Sequence, residues 1–435
     1  MISSQRLVIQ TTLYIFWQII CFFCGRQRLE CIKNIANFLT SFNIIYSKIF
    51  QSLSTGANIL TLDEIKYLSH FNDCVPYSHD DTYNIYDIIN ELNCMSNYKD
   101  VLILKPNIQP KSGMISVVYY GRLGDNDVVI KVKRRGVKEK LVDGIDKMEY
   151  LVWITSYVPY LYKLNLQVIL QENKLDMLNQ CDFNIELNNM KLMKHKFRNI
   201  NYVKIPIAYE EYTKLNSDVI VMEQIKGKKL HDSDFLKNND LKSSFGLLVA
   251  KFNMKTIFYD RLYHADLHAG NIFFDDSIPN NFKIGIIDFG LVGKISKLEQ
   301  EKIFLFFKKI LVDNDEYSAA QVILNHLVLP KNIYTQMNNS STSLLNYEIA
   351  TIAKELLINS NRELDIGTIY KINNILYKYG MTLSREFSKI QLSLAISGNV
   401  CNELCSTGPS YIELVIMATK DMAKCVETIN TNLTY

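Results

Sequence analysis

The chain has 435 residues, room for one large domain or two ordinary ones. Its 48% hydrophobic and 21% charged content is that of a packed globular protein and excludes a disordered one. A formal net charge of +3 is too near neutral to nominate nucleic acid as a partner, and nine cysteines, far apart except for Cys21/Cys24 and Cys401/Cys405, do not read as a disulfide framework; Cys21 and Cys24 read as buried free thiols, and a reducing compartment fits.

In chain order, residues 7–25 come first: an uncharged run flanked by Arg6 and by Arg26 and Arg28. Nineteen residues at about 1.5 Å each reach roughly 28 Å, about a bilayer's apolar thickness. Gln10, Thr11, Thr12 and Gln18 dilute the run, so two readings stand, a membrane-associated helix and a buried one. From Cys31 to Ser69, apolar residues such as Ile35, Phe38, Leu39, Phe42 and Ile45 recur at helical spacing. Asp80–Met95 reads as a further helix. Ser116–Tyr120 and Asp127–Val132 are β-branched or aromatic runs, joined through Gly121–Asn126 by a turn of several residues. Lys147–Tyr162 and Leu175–Lys196 follow as helices, Asp218–Met222 as a strand, Phe245–Tyr259 as a long apolar helix and Lys283–Asp288 as a strand. Beyond Lys297 helical periodicity dominates. The order gives an α+β class with four parts: an apolar N-terminal segment (1–30), a candidate membrane helix; a helical extension (31–100); a β-rich lobe (101–225); and a helical lobe (226–435).

The most informative stretch is His264-Ala-Asp266-Leu-His268-Ala-Gly270-Asn271, followed by Gly285-Ile-Ile-Asp288-Phe-Gly290. Phosphoryl transfer needs a group to orient the acceptor and hard oxygens to hold Mg²⁺. A carboxylate at Asp266 and an amide at Asn271 can meet across one loop, and a strand can deliver Asp288 to the same ion. Mg²⁺ takes a few protein oxygens and completes its shell with water and phosphate. His264 is expected to brace the loop by packing and hydrogen bonding. His268 is a candidate to line the site.

HADLHAGN resembles the HADPHPGN loop of the UbiB/ADCK family of atypical protein-kinase-like proteins, and GIIDFGLVG resembles that family's IDFGMVG segment. The likeness implies a bilobal protein-kinase-like fold that binds ATP and Mg²⁺, with Asp266 catalytic and Asn271 and Asp288 as metal ligands. Upstream, Asp127-Val-Val-Ile-Lys131-Val is similar to VAVKVQRPGV, which implies that Lys131 reaches the nucleotide phosphates. Gln180-Cys-Asp182-Phe-Asn-Ile-Glu186 is similar to the E-x-D-(F/Y)-x-x-E stretch, which makes Glu186 the partner of Lys131. Gln180 replaces that stretch's first glutamate. No G-x-G-x-x-G precedes Lys131. Lys111-Ser-Gly113-Met-Ile stands where the family has an alanine-rich loop, and Gly113 leaves room for phosphates to approach the backbone. Lys48-Ile-Phe50-Gln51 resembles the K-x-G-Q motif of the family's N-terminal extension, which assigns Lys48 and Gln51 to the nucleotide site, with Phe50 in place of glycine. Asn72-Asp73-Cys-Val-Pro76 matches the next segment of that extension.

Three functions fit this reading. The first is an atypical kinase or ATPase acting on, or regulated by, a lipid or quinone-pathway component at a membrane surface, since no A-P-E segment follows Asp288 as it would in an ordinary Ser/Thr/Tyr kinase. The second is a catalytically weak nucleotide-binding regulator, for which Phe50 and Gln180 speak. The third is a small-molecule kinase of the aminoglycoside or choline type, whose loop is similar. The acceptor and the oligomeric state are left open.

Overall fold

The structure is a computed structural model that describes residues 2–42, 63–64, 67, 79–155, 174–230, 232, 239–279, 281–358, 366–405 and 408–420. It divides into two compact units, one of Met1–Leu192 with Pro206–Gln224, the other of Met193–Ile205 with Ile225–Tyr435.

The first unit opens with α1 (Ile2–Phe23) and α2 (Arg28–Phe42), joined by a tight turn in which Gly25 takes φ 98°. That left-handed conformation lets Arg26 N–H reach back to the Cys21 carbonyl and close the helix end. The burial of α1 runs against its polarity. Thr11, Gln18 and Cys21 are buried, whereas Leu13, Phe16, Trp17 and Phe23 are 56–81% exposed. The inner face holds because Gln18 Oε1 accepts from Arg26 and Asn34, and the Tyr14 and Phe38 rings stack with centroids 3.8 Å apart. Among the described residues no helix is long and apolar enough to cross a membrane.

Helix α3 (Ile85–Met95) starts later than expected, because the Asn84 side chain accepts the Tyr86 N–H and fixes the first turn there. Its Ile85, Ile88, Ile89 and Leu92 lie at helical spacing and are buried. They pack on a five-stranded antiparallel sheet of β1 (Leu102–Leu104), β2 (Lys111–Ser112), β3 (Ser116–Leu123), β4 (Asn126–Lys133) and β6 (Val219–Glu223). Strand β4 lies between β3 and β6, and along it Val128, Ile130 and Val132 alternate into the core while Lys131 and Lys133 face the other way. The β3–β4 turn is shorter than expected. Pairing continues to Leu123 opposite Asn126, and Gly124 at φ 58° closes a two-residue loop.

Helix α4 (Val137–Thr155) begins ten residues before the expected Lys147, directly after Gly136 at φ 64°. Its Val137, Leu141 and Ile145 share a second core with Ala36 and Leu39 of α2. The end of the expected Lys147–Tyr162 helix lies outside the described residues. The helix expected over Leu175–Lys196 is interrupted. Residues 174–179 are helical, and α5 (Phe183–Lys196) restarts because Asp182 Oδ1 accepts the Asn184 N–H. A short helix, α6 (Glu210–Leu215), precedes β6.

The second unit carries β5 (Val203–Lys204), α7 (Asn239–Lys255), β7 (Leu262–His264), β8 (Ile272–Asp275), β9 (Lys283–Ile286) and β10 (Val292–Lys294). Strands β8 and β9 form a hairpin with β5 parallel to β9, and β7 pairs with β10. Helix α7 runs into a π-helical turn at Thr256–Asp260, where Thr256 Oγ1 bonds the Phe252 and Asn253 carbonyls. Arg261 at φ 56° then ends it. Beyond lie α8 (Lys297–Leu311), capped by a reciprocal Ser296–Glu299 box, α9 (Glu316–Val322), β11 (Val328–Leu329), α10 (Lys331–Gln336), α11 (Asn339–Ile358), α12 (Ile366–Lys378), β12 (Thr382–Leu383) and α13 (Arg385–Leu404).

Candidate functional site

In the first unit, Lys131 sits in the second half of the central strand β4, opposite Val118 of β3 and Ile220 of β6. The backbone register fixes where its Cβ points, and α5 supplies what it meets. Lys131 Nζ lies 2.7 Å and 2.8 Å from the two carboxylate oxygens of Glu186, with the side chains only 11% and 1% exposed. Phe183, one turn earlier on α5, places its ring 5.6 Å from the same ammonium. The break before α5 therefore has a use, since the Asp182 cap sets the helical phase that brings Phe183 and Glu186 together.

Gly113 occupies the turn between β2 and β3, where its N–H donates to the Ser116 carbonyl at 2.9 Å. A Cβ built there would meet only Ser116 O, at 3.6 Å, so the fold itself does not require glycine. Arg134, buried at the end of β4, tethers this turn: its Nη2 bonds Ser112 Oγ and its N–H donates to the Ile115 carbonyl.

In the second unit, β7 delivers the loop that carries Asp266 and Asn271, and the β8–β9 hairpin brings Asp288 beside it. Ile272 pairs with Ile286, and Ile287 N–H donates to the Asn271 carbonyl at 3.2 Å, so Asp288 follows directly on a residue bonded to Asn271. The Asn271 amide nitrogen donates to the Asp266 carbonyl at 2.9 Å and lies 3.2 Å from His268 Nε2. Asp288 Oδ1 accepts the Gly290 N–H at 2.9 Å. His264 is fully buried against Phe252 and Phe289, with Nε2 2.6 Å from the Asp288 carbonyl and Nδ1 accepting the Asp266 N–H. Burial holds its pKa below the ordinary histidine value against the raising influence of Asp288, so the ring is neutral near pH 7, one nitrogen donating and the other accepting. His268 Nδ1 accepts the Gly270 N–H, and Nε2 lies 3.9 Å from the Asp266 carboxylate.

Two contributors carry no sequence motif. Ser393 of α13 donates its hydroxyl to the His264 carbonyl at 2.8 Å in a buried position. Lys229 places its ammonium on the Gly270 carbonyl. Both act on backbone carbonyls, which any donor can satisfy, so spacing gives no signal for them. Lys48 and Gln51 lie outside the described residues, as does Asn72–Pro76. Lys131 and Glu186 meet in one unit, and Asp266, Asn271 and Asp288 gather in the other.

The donor set of the loop fits Mg²⁺. With the Asn271 amide nitrogen turned to Asp266, its Oδ1 is the atom left to face a cation, and Asp288 adds carboxylate oxygen. Among the described residues no group of three or more His, Cys, Asp or Glu side chains forms a metal cage, and Mg²⁺ at a phosphate needs none.

A strand lysine bonded to a helix glutamate, in an antiparallel sheet followed by a largely helical unit, defines a protein-kinase-like fold of the α+β class. The model of the ABC1 atypical kinase-like domain matches residues 111–323, and over these residues the chain carries the kinase-like domain of the UbiB/ADCK family of atypical protein-kinase-like proteins. It is 28% identical to a "Probable protein kinase UbiB" of Tolumonas auensis over 63% of this chain and 50% of that one. It is also 28% identical to "Protein ACTIVITY OF BC1 COMPLEX KINASE 8, chloroplastic" of Arabidopsis thaliana over 69% of this chain and 39% of that one. The chain thus spans half or less of the length of these curated relatives. A solved complex of Rv3197 with erythromycin from Mycobacterium tuberculosis matches at 15% identity and a TM-score of 0.45, covering 70% of this chain and 74% of that one.

Proposed function

We propose that the chain binds ATP with Mg²⁺ and works as an atypical kinase or ATPase, acting on or regulated by a lipid or quinone-pathway component rather than a protein hydroxyl. The observation that carries this reading is the Lys131–Glu186 pair. A buried ion pair is a poor source of stability, because desolvating both charges offsets most of their attraction. A chain that nonetheless holds an ammonium bidentately on a central strand is holding it for a ligand, and the ligand chemistry such a lysine serves is phosphate.

In this reading the Lys131 ammonium pairs with the nucleotide phosphates, and Glu186 fixes its position. The turn at Gly113 lets phosphate approach the backbone, and Lys48 and Gln51 complete the nucleotide site. Asp266 accepts the proton of the attacking hydroxyl or water and orients it. Asn271 and Asp288 would hold Mg²⁺, which when bound offsets the charge of the phosphates. The exposed apolar stripe of α1, in a stretch over residues 1–29 that contains Arg6, Arg26 and Arg28 but no Asp or Glu, supports association with an anionic lipid surface.

The test is a thermal-shift titration with ATP, ADP and GTP, with and without Mg²⁺, alongside Mg²⁺-ATP turnover. Ligand bound only to the folded state raises the melting temperature by mass action. Wild type should shift with ATP and shift further with Mg²⁺, and Asp288→Asn should lose the Mg²⁺-dependent part and the turnover while staying folded. No shift with any nucleotide would sink the proposal. Shifts without turnover would leave a nucleotide-binding regulator, and fast phosphorylation of choline would replace the lipid reading with that of a small-molecule kinase.

A further inference from the structure

The segment after Gly227 lies along the strand that leaves the catalytic loop. Lys228 and Phe274 exchange both backbone hydrogen bonds, at 2.8 and 2.9 Å, so residues 227–229 extend the β8 edge. Gly227 is needed for that approach. Its φ is 150°, and a Cβ there would lie 3.0 Å from the Phe274 carbonyl oxygen. The two lysines that follow diverge. Lys228 reaches away from the loop to Asp276, 2.8 Å off, with its side chain 42% exposed. Lys229 reaches towards it: the ammonium crosses the Phe273 ring at 3.8 Å from the centroid and ends on the Gly270 carbonyl.

Gly270 is the residue before Asn271, and the peptide that joins them is held from two different segments. The Asn271 N–H of that peptide donates inside the loop, to the His268 carbonyl, while its Gly270 carbonyl is met from another segment, by Lys229. The flanking peptides are held within the loop and its hairpin, by Gly270 N–H to His268 Nδ1 on one side and by Ile287 N–H to the Asn271 carbonyl on the other. Rotation of the 270–271 peptide would swing the Asn271 side chain away from Asp266.

We propose that Lys229 is a positioning residue for the metal site, its ammonium clamping the Gly270 carbonyl so that the Asn271 amide is presented beside Asp288. The inference rests on the nucleotide–metal reading above and deepens it. The clamp is a charge-assisted hydrogen bond on a backbone oxygen, further held by the aromatic face beneath it. Supporting groups behind metal ligands typically alter metal affinity by about 10- to 100-fold when removed.

The experiment compares Lys229→Met, Lys229→Arg and Lys228→Met in the full chain. Isothermal titration of Mg²⁺ into the ATP-loaded protein should show Mg²⁺ affinity at least about tenfold weaker in Lys229→Met, near wild type in Lys228→Met and largely restored in Lys229→Arg. Nucleotide affinity without Mg²⁺ should be unchanged in all three. Amide hydrogen exchange of the ligand-free protein adds a second readout, with protection at Gly270–Ile272 falling in Lys229→Met and not in Lys228→Met. Equal effects of the two methionine variants, or an arginine variant no better than methionine, would overturn the proposal and reduce Lys229 to general stabilisation. Were wild type to bind no Mg²⁺–nucleotide at all, the wider reading would fail, while the exchange comparison would still decide whether the clamp exists. Should Lys229→Met not fold, the arginine and Lys228 variants decide through the same two measurements.

Discussion

Lys131 and Glu186 are bound so closely that changing one strands the other. Replacing Lys131 by methionine keeps the length of the side chain but leaves a carboxylate 1% exposed without its cation. Breaking a buried pair from one side costs about 3–5 kcal/mol, whereas replacing both partners with apolar groups of similar size is close to neutral. Lys131→Met should therefore lower unfolding free energy by that amount in urea melts, and Lys131→Met with Glu186→Leu should recover most of it while binding no nucleotide. A double variant as unstable as the single one would show that the pair is structural scaffolding, which would remove the observation on which the functional proposal stands. His264 makes a similar point from the other side of the chemistry. It was legible as a loop brace because it precedes the motif aspartate, and the structure gives the brace its atoms: Nε2 to the Asp288 carbonyl and Nδ1 from the Asp266 N–H. A neutral ring is the form that can do both, and burial keeps it neutral.

The elements divide into those that residue patterns reveal and those that only tertiary contacts explain. The β3 and β4 strands, α3 and the apolar helix α7 follow from alternation or helical spacing, which local backbone geometry imposes. The break before α5 escaped that logic. Leu175–Lys196 has helical spacing throughout, but an aspartate side chain competing for an N–H at Asn184 outweighs continuity there. The candidate site residues stand out in the sequence because the phosphoryl chemistry that the family resemblance implies restricts residue type and order, whereas Ser393 and Lys229 only donate a hydrogen bond to a carbonyl. Helix α13 shows what that hides. Its hydroxyl at Ser393 bonds the His264 carbonyl, and Ser397 bonds back to the Ser393 carbonyl, so a buried polar seam runs from a C-terminal helix to the loop. Ser393→Ala leaves one buried carbonyl without this donor and should cost about 1–3 kcal/mol of stability. Because the lost bond lies two residues before Asp266, turnover should fall by more than nucleotide affinity does. Steady-state kinetics beside a denaturant melt would check it, and a full stability loss with unchanged kcat would confine Ser393 to packing.

At the scale of the whole molecule, the feature least expected from a kinase-like fold is α1. Its Leu13, Phe16 and Trp17 are 63%, 60% and 56% exposed on one helix face, while Thr11 and Gln18 are turned inward. Single exposed apolar residues are ordinary, but a stripe of them along one helix marks a contact surface. The inner face is already bonded to α2, so inverting the helix would sacrifice the Gln18 bonds to Arg26 and Asn34. The proposed occupant is an anionic lipid surface, which apolar insertion and arginine attraction would reach together and which salt should weaken. The full chain should then sediment with phosphatidylcholine vesicles containing phosphatidylglycerol, less with phosphatidylcholine alone, and less again at high salt. Leu13→Glu with Phe16→Glu should abolish sedimentation while leaving the melting temperature unchanged, since these exposed side chains bury little on folding. Failure to sediment with either vesicle would refute the lipid assignment. So would a concentration-dependent dimer in analytical ultracentrifugation that the same double substitution dissolves, because the stripe would then be a face between two copies of the chain. Nucleotide-induced stabilisation should persist in the double variant, since α1 lies in a different part of the chain from Lys131, Asp266 and Asp288, and its loss would instead tie the helix to the fold of the nucleotide site.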